Sequence, residues 1–64
     1  MIPFNHEFIR YQDNLYDVIR KYPEGKLKQG KIDDFRQFLS CDIALKKEGV
    51  IYFCVKIQDA EIVQ

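Results

Sequence analysis

Gly25, Gly30 and Lys31 stand at the spacing G-x-x-x-x-G-K, in the stretch GKLKQGK. That spacing matches most of the loop that cradles nucleotide phosphates. The chemistry needs three things: backbone N–H groups wrapped around the phosphates, a lysine reaching the terminal ones, and a following Ser or Thr on magnesium. Here Ile32 follows Lys31, and its side chain ligates no metal. The residues before Gly25, Arg20-Lys21-Tyr22-Pro23-Glu24, read as a helix end and a turn rather than a buried strand. Turn-forming glycines and solubilising lysines account for the stretch, and no nucleotide is expected.

The same region supports a broader reading. Between Arg20 and Lys31 there are five basic residues and one acidic, a local charge of +4 (5 − 1). Phosphate backbones bind such segments through counterion release. Arg20, Lys21, Lys26, Lys28 and Lys31 are therefore the candidate residues for weak nucleic-acid binding, with Tyr22 available to stack on a base. Asp33 and Asp34 follow at once, and a solvated loop is the simpler account.

Other reactive side chains are sparse. Cys41, Cys54 and the single His6 lack the paired spacing of a zinc ligand set. Cys54 lies in an apolar run and Cys41 follows a helical pattern, so neither thiol is expected to be activated. Asp33-Asp34 reads as a helix cap rather than a carboxylate pair. Asp13 and Asp17 lack the further hard oxygen ligands a cation needs. No catalytic, cofactor-binding or metal-binding residue is expected, and the chain is not expected to be an enzyme.

The elements that would hold these residues follow from periodicity. Phe4, Phe8, Tyr11, Leu15, Val18, Ile19 and Tyr22 fall on one arc at roughly 100° per residue. They predict a helix from about Asn5, its cap, to Tyr22, where Pro23 ends it. Phe4 and Ile9 sit at the staple positions, and Glu7, Arg10, Asp17, Arg20 and Lys21 form charge pairs along the outer face. A two-strand reading turning at Asp13-Asn14 fits less well, because charged residues fall on both faces. Pro23 to Gly30 reads as a loop. Asp33 then caps a short second helix to about Ser40, with Ile32, Phe35 and Leu39 on one face. From Ile43 onward a β-hairpin turning at Lys47-Glu48-Gly49 is favoured over a continued helix. Val50 to Ile57 is a strand either way, apolar on both faces and therefore central. Ala60 to Val63 could add a last short strand.

These elements predict one domain over residues 1–64 of class α+β, two helices followed by a small antiparallel sheet, either a hairpin or a three-strand meander. The long first helix would lie on Ile51, Phe53 and Val55. The composition, 47% hydrophobic and 14% aromatic, is that of a globular chain, and zero formal net charge gives no general attraction to nucleic acid or lipid. The longest apolar run, Val50 to Val55, is too short to span a bilayer. The first residues lack the features of a signal peptide, and reduced cysteines suit the cytosol. With one face of the strand covered, Val50, Tyr52 and Cys54 would be left open, together with Ile9 and Tyr16 on a second stripe. Those five residues are the candidate interface. The expected function is a small protein-binding or regulatory module that forms homodimers. In the competing account, the amino-terminal segment or the Pro23–Gly30 loop folds over that face and leaves a monomer.

Overall fold

The computed structural model describes residues 7–57. Four strands and one α-helix follow in the order β1 (Phe8–Tyr11), β2 (Asn14–Pro23), a 3-10 turn (Glu24–Lys26), α1 (Gln29–Leu39), β3 (Ile43–Lys47) and β4 (Val50–Lys56). All pairings are antiparallel, in the spatial order β1-β2-β4-β3, a strand-rich half-barrel. The expectation of two helices followed by a small sheet is overturned, since only α1 is an α-helix among the described residues.

The correction falls on the first segment. Instead of a helix to Tyr22, β1 and β2 form a hairpin in which Ile9 faces Tyr16 and Tyr11 faces Asn14. The turn is Gln12-Asp13, both in the left-handed region at φ 52° and 65°. Two residues with positive φ make the turn that matches strand twist, but neither is the Asn or Gly that usually signals it. The pairing register then slips between Val18 and Arg20, so Ile19 is the extra residue of a β-bulge. The bulge shifts the alternation by one. Val18 stays on one face while Tyr22, four residues on, moves to the other. Steps of three and four along a bulged strand imitate a helical arc. The charge pairs also rearrange: Lys21 bonds Glu7 across the hairpin at 3.0 Å. Asn5, Phe4 and the last short strand at Ala60 to Val63 lie outside the described residues.

The helix α1 starts earlier than the sequence indicated. Lys28 is extended, the helical bonds begin at Gln29, and Asp33 lies inside the helix rather than capping it. Gly30 enters the first turn, which brings Ile32 to the same side as Phe35 and Leu39. Ser40 ends the helix in the left-handed conformation, φ 58°. Its N–H donates to the Gln37 carbonyl and that of Cys41 to the Arg36 carbonyl, the paired bonds of a Schellman motif.

The core lies between α1 and one face of the sheet. Ile32, Ile51 and Phe53 form its centre, with Tyr22, Leu27, Phe35, Leu39, Cys41 and Ala44 packed around them. Phe53 stands edge-on to Tyr22, their centroids 5.7 Å apart. Thus α1 takes the place expected of the first segment. The hairpin of β3 and β4 turns at Glu48-Gly49, both at positive φ, and β4 lies between β2 and β3.

Candidate functional site

Residues directly opposite one another in neighbouring strands project to the same face. The register therefore assigns the face away from α1. Ile9 faces Tyr16, and Tyr16 faces Lys56. Cys54 lies between Val18 and Ile43, Tyr52 between Lys21 and Leu45, and Val50 between Pro23 and Lys47. The five candidate interface residues, Ile9, Tyr16, Val50, Tyr52 and Cys54, thus share one surface that crosses β1, β2 and β4. Val18, Ile43 and Leu45 belong to it as well. The sequence reading assigned Val18 to a helix core. Alternation along Ile43-Ala44-Leu45 was the signal that could have found the other two.

No helix among the described residues crosses this face. Leu27, from the segment after β2, packs into the helix-side core. Burial is graded across the face. Cys54 at the centre is fully buried and Tyr16 nearly so, with Tyr11 tilted against Tyr16 at 6.5 Å between centroids. Val18, Ile43, Leu45, Val50 and Tyr52 are half-buried. The charges sit at the perimeter. Glu7 accepts from Lys21 Nζ, which also stands 5.8 Å from the centroid of the Tyr52 ring, within reach of cation–π attraction. The hydrogen bond to Glu7, followed by its charge, raises the Lys21 pKa above the ordinary value. Beside it, Lys21, Tyr22, Pro23, Val50 and Tyr52 line a cavity of about 260 Å³.

The thiols lie on different sides of the sheet. Cys54 is on the face away from α1, whereas Cys41 packs into the helix-side core and its Sγ donates to the Arg36 carbonyl at 3.6 Å. Burial pushes the Cys54 thiol up to about 11 and raises that of Cys41. A thiol with a raised pKa is a poor nucleophile at neutral pH. Cys41 also lines a polar cleft of about 420 Å³ with Asp33, Arg36, Gln37, Ser40 and Asp42. Among the described residues no three His, Cys, Asp or Glu side chains gather as metal ligands. His6 lies outside the described residues.

The glycine-rich stretch meets one condition that the sequence reading denied it, because a strand, β2, does precede Gly25. It lacks the cradle. A phosphate nest needs backbone N–H groups turned inward by residues of positive φ, and neither Gly25 nor Gly30 has one. The five basic candidates are not gathered on one face. Lys21 lies on the face away from α1, Arg20 projects to the helix side opposite Phe53, and Lys26, Lys28 and Lys31 occupy the approach to α1 and its first turn.

No family model, curated protein or solved structure matches this chain. No helix among the described residues is long and apolar enough to cross a membrane.

Proposed function

We propose that this chain is a small non-enzymatic protein-binding or regulatory module whose contact surface is the sheet face opposite α1. The observation that carries the reading is the apolar continuity of that face: Ile9, Tyr16, Val18, Ile43, Leu45, Val50, Tyr52 and Cys54 on four adjoining strands. A contiguous apolar patch rimmed by charge marks a contact site, and tyrosines are favoured anchors because they bury large rings yet keep a polar tip. Two free thiols suit a reducing compartment, and the reading places the chain in the cytosol. The dispersal of Arg20, Lys21, Lys26, Lys28 and Lys31 weighs against nucleic acid.

The test compares two ligands. Immobilised wild type and Leu45→Lys are exposed to extract of the source cell, and a labelled single-stranded oligonucleotide is titrated at low salt. The reading expects protein capture that Leu45→Lys abolishes and no oligonucleotide binding. Capture insensitive to Leu45→Lys, or oligonucleotide binding that weakens steeply with salt, would overturn it.

A further inference from the structure

We draw no further inference here: the strongest candidate, the surface patch on α1 where the Phe38 ring is 79% exposed beside Lys31, Asp34 and Phe35, carries nothing because nothing in the structure shows what covers it.

Discussion

Replacing Gln12 by Asn and Asp13 by Gly tests the hairpin directly, because hairpin and helix require opposite signs. Both residues have positive φ, a conformation that costs an L-residue about 1–2 kcal/mol and that Asn and Gly adopt readily. Aspartate tolerates the region better than most, and glycine adds unfolded-state entropy worth about 0.4–1 kcal/mol. The change removes the exposed 3.3 Å bond from Gln12 Nε2 to the Tyr11 hydroxyl. Its partner bond, Asn14 Nδ2 to the Gln12 carbonyl, uses backbone and survives. The net gain is about 1 kcal/mol, which for a domain of this size raises the thermal midpoint by roughly 4–8 °C. In a helix spanning this segment, glycine would instead cost about 1 kcal/mol relative to alanine, and the midpoint would fall. Thermal unfolding followed by circular dichroism reads the sign. An unchanged or lowered midpoint would refute the account of the turn.

Phe53→Ala removes a ring with no solvent exposure that packs edge-on to Tyr22 and tilted against Phe35. A loss of roughly 3–5 kcal/mol is comparable with the whole stability of so short a chain. The variant should show little cooperative urea transition at 25 °C, and a near-wild-type transition would place the core elsewhere. The Cys54 thiol, raised to about 11 in the folded chain, titrates in the unfolded chain near its ordinary value of 9.0. Below that value both states hold the proton and the group contributes no pH dependence. Between the two values only the unfolded state releases it, so stability falls as pH rises, by at most about 1.4 kcal/mol per pH unit. Cys54→Ala should flatten that part of the profile in urea melts between pH 9 and 11, and an identical slope in both proteins would contradict the burial of the thiol.

The strand Val50 to Lys56 was legible from its residues, because β-branched and aromatic side chains on both faces suit only a strand with neighbours on each side. So was the division of its side chains into Ile51 and Phe53 on one face and Val50, Tyr52 and Cys54 on the other, which period-two geometry imposes. Gly49 marked the last turn because left-handed backbone favours it. The identity of the first segment was not legible. Phe8 to Tyr22 is compatible with a helical stripe and with two strands, and the choice rests on contacts remote in sequence: Val18 with Cys54, and Tyr22 with Ile51. Local propensity spans only tenths of a kcal/mol per residue, whereas pairing β2 with β4 satisfies a row of backbone groups that would otherwise leave the central strand without a partner on that side. The bulge at Ile19 and the turn at Gln12-Asp13 carry no residue signature, since each is held in place by the sheet around it. Local patterning set which residues could share a face, and long-range pairing decided which element covered the face of Ile51 and Phe53.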